Sequence, residues 1–218
     1  MINKEQLNEL TLKGWIEFCS VNSDEYLIDI SKRIGDVINH PNGKLIDYLV
    51  PKVKTEAKIN TFSHNFEYQK FPLHTDTAFW NLPIRYVLMS CEGTSETATT
   101  FVTYDEICKI VTESELLDLK KSIFLVKTAN KNFYTSLINT YENNTFLRFD
   151  RNCMKPVNKS AKISLNIIDE RLNELTINKV LWDKSKIFIF DNWRTLHGRE
   201  SLQNEKTRTL KRIYIKHR

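Results

Sequence analysis

Eight short segments rich in β-branched and aromatic residues recur along the chain between turn formers: KLIDYLV, INTFS, RYVLMSC, ATTFVTY, SIFLVKT, NTFLRFD, KIFIFDN and LKRIYIKH. Runs of this length and composition predict strands. Helical spacing interrupts them in three places. Ser23 caps DEYLIDISKRIGDVI, where Leu27, Ile30, Ile34, Val37 and Ile38 keep a helical period across Gly35, and ESELLDLKK and SAKISLNIIDERLNEL follow the same period. Strands and helices do not alternate, which argues against a doubly wound parallel sheet. The pattern predicts a mainly β chain with flanking helices, a sandwich or jelly-roll core.

The length, 218 residues, fits one domain (1–218) with a sizeable core. Only five glycines are present, and none falls in a G-x-G-x-x-G or G-x-x-x-x-G-K-[ST] run, so nucleotide chemistry through backbone phosphate loops is disfavoured. The four cysteines, Cys19, Cys91, Cys108 and Cys153, form no C-x-x-C pair, and free thiols in a reducing compartment are expected. The first residues, MINKEQLNELTLKGW, contain no apolar signal core, and no apolar run is long enough to span a membrane, so a soluble cytoplasmic protein is expected.

Net charge is +5, unevenly placed. Ser185–Arg218 holds nine Lys/Arg against three acids, and Met1–Lys184 holds 23 against 24. A basic C-terminal stretch can be a solvated face, a site for a small anion or a nucleic-acid surface. Only Trp193 and Tyr214 adjoin or interleave with the bases from Arg194 onward, which argues against single-strand binding and leaves nucleic acid a weak candidate partner.

The chemistry-bearing pattern is His74-Thr75-Asp76 within FPLHTDTAFW, together with His197 in KIFIFDNWRTLHGRES. Two residues apart on a strand share a face, so an imidazole and a carboxylate can converge. Alone, the pair reads more readily as an exposed His–Asp hydrogen bond than as two metal ligands. With His197 it makes two imidazoles and one carboxylate, the ligand set of non-haem Fe(II) oxygenases, although a catalytic zinc can use the same three ligands.

These pieces, FPLHTDTAFW, NLPIRYVLMSC, TTFV, DNWRTLHGR and RTLKR, running in that order from Phe71 to Arg212, resemble the Fe(II)/2-oxoglutarate-dependent dioxygenases of the taurine dioxygenase and clavaminate synthase-like group. The resemblance implies a double-stranded β-helix, a jelly-roll and cupin-like core. It implies Fe(II) on His74, Asp76 and His197, with 2-oxoglutarate as cosubstrate and O2 as oxidant. Arg208, eleven residues beyond His197, matches the arginine that grips the distal carboxylate of 2-oxoglutarate. Thr99 matches its threonine partner, with Thr97 and Thr100 as alternatives because Glu96-Thr97-Ala98-Thr99 stands where a G-G-D-T run is usual.

Arg212 matches an arginine that in some members holds an anionic group of the substrate. Arg199 and Arg148 are candidates for a supporting or substrate-facing role, and Trp80 and Phe79 for the substrate wall or the core. The implied reaction is hydroxylation of an aliphatic C–H in a small amino-acid-like or anionic metabolite, with release of succinate and CO2. Desaturation or ring closure, including on a bulkier or carrier-linked substrate, uses the same oxidant. Retention of Asp76 argues against halogenation, for which related enzymes lack this carboxylate. Two departures are visible: Asp183-Lys184-Ser185-Lys186 replaces a usual Gly-Asp turn, and the segment from Ala129 to Thr145 is short, which predicts a small lid. A jelly-roll binding protein without turnover, or a nucleic-acid-binding domain, are readings of a different class.

Overall fold

The computed structural model describes residues 2–59, 61–128, 131–202 and 208–217. In chain order the elements are α1 (Lys4–Lys13), β1 (Trp15–Cys19), α2 (Asp24–Ile34), β2 (Asp36–Ile38), β3 (Ile46–Leu49), α3 (Phe62–Phe66), β4 (Phe71–His74), β5 (Tyr86–Glu92) and β6 (Ser95–Thr103). They continue with α4 (Tyr104–Ile110), α5 (Glu113–Lys121), β7 (Phe124–Lys127), β8 (Asn132–Thr135), β9 (Ile138–Tyr141), β10 (Asn144–Leu147), β11 (Met154–Pro156), α6 (Lys159–Glu174), β12 (Asn178–Trp182), β13 (Lys186–Asp191), β14 (Thr195–Arg199) and β15 (Thr209–Lys216).

Two antiparallel sheets face each other. The larger runs β1-β13-β5-β15-β2, with β3 also paired to β15, and the smaller runs β12-β6-β14-β4. This is the expected jelly roll carrying helices. Alternation sorts the residues of each strand between faces. In β15, Leu210 and Tyr214 turn inward to join Phe101, Trp182, Phe188 and Phe190 between the sheets. Ile213 and Ile215 turn outward onto Leu27 and Ile30 of α2 and Leu10 of α1. Behind the smaller sheet, Val102 and Leu196 pack with Ile107 of α4, Leu119 of α5 and Ile167 and Ile168 of α6. The three hydrophobic clusters hold both faces of both sheets, which leaves the inner ends of the strands as the place for polar chemistry.

Some sequence-based expectations change. The α2 helix stops at Ile34, because Gly35 caps it in an extended conformation and Asp36–Ile38 joins the large sheet as β2. INTFS is not a strand: Thr61 caps α3 by accepting from the His64 backbone N–H, and Asn60 lies outside the described residues. Of the short segment expected to carry a small lid, Ala129 and Asn130 also lie outside them, while the remainder forms the β8, β9 and β10 strands. No helix among the described residues is long and apolar enough to cross a membrane.

Candidate active site

His74 ends β4 and pairs directly with His197 of β14. β14 pairs in turn with β6, so the small sheet places both imidazoles on its inner face beside Phe101 and Phe190. A bulge between β4 and β14, at His197 to Arg199, requires Gly198: a Cβ there would lie 2.5 Å from the Phe71 carbonyl oxygen. Asp76 does not reach the site by strand alternation. β4 stops at His74, and Asp76 sits in the following turn, where Thr77 adopts φ 55°.

That turn is pinned from afar. The Asn192 side chain accepts from the Asp76 N–H at 2.8 Å and donates to the Asp76 carbonyl at 3.1 Å and to the Ile84 carbonyl at 2.8 Å. Thr75, between the two site residues, points the opposite way and accepts from the Phe149 N–H at 3.1 Å. Sequence reasoning did not single out Asn192. Its only visible signal was the Asp-Asn-Trp run ahead of His197.

The ligand atoms of His74, Asp76 and His197 lie within 4.8 Å of one another, and all three residues are buried. His74 is oriented from behind: its Nδ1 donates to the Pro72 carbonyl at 2.9 Å, which leaves Nε2 as the lone pair facing the site. Phe62 of α3 stacks on its ring at 3.9 Å between centroids, a contact not foreseen from sequence. Burial, together with the neighbouring His74, pushes His197 down to about 3, so its ring is neutral near pH 7. Burial pushes Asp76 the other way, but Arg212, His197, His74 and the Tyr214 hydroxyl outweigh it and hold the carboxyl at about 2. A neutral imidazole and an ionised carboxylate, without thiolate, are donors that fit Fe(II) or another divalent ion of similar preference.

The predicted arginines divide by partner. Arg208 immediately precedes β15, is 5% exposed, and continues the inward series Leu210, Arg212, Tyr214. Burial and the nearby charge of Arg208 lower Arg199 to about 10, so the two guanidiniums lie within electrostatic reach. Arg199 itself stacks on Phe71 at 3.6 Å and donates to the Glu67 and Gln69 carbonyls, which fixes the approach to β4. Arg148 is fully buried and spends Nη1 and Nη2 on the carbonyls of Ala78, Trp80 and Asn81, between the rings of Phe133 and Phe146. It clamps the loop that follows Asp76. Arg212 bridges two carboxylates: Nη1 donates to Asp76 at 2.9 and 3.1 Å, and Nη2 to Asp47 at 3.0 Å.

Alternation on β6 puts Thr97, Thr99 and Phe101 on the inner face and Thr100 on the outer one, opposite Gly198. Thr99 accepts from the Trp182 indole at 3.1 Å. Trp80 packs edge-on to Tyr214 at 6.0 Å against the inner cluster, while Phe79 is 41% exposed. One further group stands out. Asp150 is 7% exposed, burial raises its pKa, and its strongest opposing influence is His74. Arg148 and Arg151 flank it but turn to backbone carbonyls and to Asp169, and no salt bridge among the described residues reaches it.

No family model matches the sequence, and no curated protein matches it. Solved structures do. An asparagine oxygenase in complex with Fe(II), 3-hydroxyasparagine and succinate superposes with a TM-score of 0.81 at 15% identity, over 97% of this chain and 78% of that one. PvcB, an Fe, α-ketoglutarate-dependent oxygenase from an isonitrile synthetic pathway, gives 0.72 at 18% identity over 98% and 80%. The non-haem iron oxygenase OrfP, in complex with Fe and α-ketoglutaric acid, gives 0.74 at 15% identity over 97% and 79%. At these identities the likeness is one of fold: the chain has the jelly-roll architecture of these oxygenases.

Proposed function

We propose that this chain is a non-haem Fe(II)- and 2-oxoglutarate-dependent dioxygenase, a single oxygenase domain over 1–218, that hydroxylates an aliphatic C–H of a small amino-acid-like metabolite. The carrying observation is the convergence of His74, Asp76 and His197, buried and with donor atoms within 4.8 Å, on a jelly-roll frame. His74, Asp76 and His197 would hold the iron, whose remaining coordination positions would be open to cosubstrate and O2. When bound, Fe(II) supplies the oxidant: O2 converts 2-oxoglutarate to succinate and CO2 and leaves one oxygen atom in the substrate.

The chain's own residues do the rest. Arg208 pairs with the distal carboxylate of 2-oxoglutarate from the inner face of the large sheet, and Thr99 or Thr97 meets it from β6; the outward direction of Thr100 disfavours it. Asp150, a buried carboxylate that no cation among the described residues pairs with, receives an ammonium, guanidinium or amide N–H of the substrate. Phe62, Phe101 and Phe190 line the imidazoles and keep water from them. Amino-acid substrates are favoured because the neighbours are described with hydroxyasparagine and, for OrfP, (3S)-hydroxy-L-Arg.

The test is a panel of amino acids incubated with enzyme, Fe(II), ascorbate, 2-oxoglutarate and O2. The expected result is a product one oxygen atom heavier, formed with equimolar succinate. A product two hydrogens lighter would mean desaturation or ring closure by the same oxidant. Steeply salt-dependent nucleic-acid binding with no succinate from any substrate would favour the nucleic-acid reading instead.

A further inference from the structure

A chain of charges runs along the inner face of β15 to the site, and two of its members, Asp47 and Arg212, have no part in the proposed reaction. Asp47 on β3 is the direct cross-strand partner of Arg212 on β15. Its Oδ2 accepts from Arg212 Nη2 at 3.0 Å, and its Oδ1 accepts from the Asn42 side chain at 2.9 Å, so both carboxylate oxygens are fixed. Arg212 continues the chain to both oxygens of Asp76. Asp76 Oδ2 then lies 3.7 Å from His197 Nε2. The side chains are 21%, 18% and 7% exposed from Asp47 to Asp76, a gradient that runs from the edge of the sheet to the buried site. The backbone of Arg212 is held as well, because its carbonyl accepts from His40 Nε2 at 2.9 Å.

We propose that Asp47 is a positioning residue for Asp76, acting through Arg212. This rests on the reading of Asp76 as a metal ligand. A guanidinium is planar, so anchoring one end of its fork on Asp47 sets where the other end meets Asp76. Charge works in the same direction. With Asp47 present, Arg212 shares one positive charge between two carboxylates; without it, the whole charge falls on Asp76 and competes with an incoming metal cation. Both effects make Asp47 favour metal binding, although it touches neither metal nor substrate. Arg212 thereby gains a structural occupation, and an anionic group of a substrate would have to displace Asp47 to reach it.

The experiment is a titration of the metal-free protein with Co(II), followed by calorimetry and by the visible absorption of the bound ion. Asp47→Asn should weaken Co(II) binding by about tenfold or more and alter the Co(II) spectrum, at unchanged secondary structure. Asp47→Glu restores the charge and should return the affinity to within about threefold of wild type. Asp24→Asn is the control: Asp24 pairs with Lys211 on the outer face of the same strand at 2.8 Å, and its loss should leave Co(II) binding unchanged. Wild-type affinity and spectrum in Asp47→Asn, or an equal loss in Asp24→Asn, would overturn the relay while leaving the metal site intact. Failure of the wild-type protein to bind Co(II) would overturn the dioxygenase reading and the relay together.

Discussion

Gly198→Ala isolates the geometry on which the site depends. Its new Cβ would meet the Phe71 carbonyl oxygen at 2.5 Å, the Thr100 hydroxyl at 3.1 Å and the Pro72 carbonyl carbon at 3.2 Å. Ordinary contact begins at 3.4 Å, so the backbone of β4 must retreat from β14 by close to 0.9 Å. Thr100 can rotate, but two of the three obstacles are backbone. The strand that retreats ends at His74, and the substituted position adjoins His197, so the two imidazoles separate by a comparable distance. Overpacking of this kind costs about 1–3 kcal/mol, or about 2–12 °C in melting temperature for a domain of this size. A shift approaching 1 Å in ligand spacing should also cost at least about tenfold in metal affinity. Differential scanning calorimetry with and without Co(II) reads both effects. A variant with wild-type melting temperature and wild-type metal affinity would refute the claim that close β4–β14 approach builds the site.

Other consequences can be checked independently. Arg148→Ala strips three carbonyls of a charged donor and should destabilise the fold by about 3 kcal/mol or more by urea titration, with Arg148→Lys recovering part of the loss. Mn(II) with 2-oxoglutarate at a hundredfold excess over Kd should stabilise the wild type by about 2.7 kcal/mol, and Arg208→Ala should lose the 2-oxoglutarate-dependent part. Asp150→Asn should shift the accepted substrates away from those carrying an ammonium or guanidinium at that end. In chelator-treated protein, His197 is held near 3 against its ordinary 6.5, so the unfolded chain binds the proton first. The stability it contributes is therefore complete above pH 6.5 and lost on acidification, about 2 kcal/mol between pH 7 and 5, and His197→Gln should flatten that dependence.

What the sequence made legible follows from the range of the interactions involved. Strands such as KIFIFDN and LKRIYIKH, and helix α6, carry their period within a few residues, and the residue types of His74, Asp76 and His197 point to a metal site, whereas the strand alternation that would join His74 to Asp76 fails because β4 ends at His74. The Asn192 clamp on Asp76 spans 116 positions and the Asp47–Arg212 pair 165, and no local pattern encodes either. NTFLRFD predicts a strand through Arg148, but β10 ends at Leu147, and the choice of backbone carbonyls over a ligand by Arg148 depends on where the loop after Asp76 turns. Helix α1 buries only Leu10, so its apolar period is faint, although the Asn3 and Gln6 capping box was there to be read.

The central claim is that His74, Asp76 and His197 bind iron for 2-oxoglutarate-dependent oxidation. Succinate formed from 2-oxoglutarate in air, with Fe(II) and ascorbate, tests it most directly when wild type and His74→Ala are compared at equal folded concentration. Succinate release is expected from the wild type, increased by the true substrate, and none above background from His74→Ala. Equal release by the two proteins, or none from the wild type across the amino-acid panel, would contradict it.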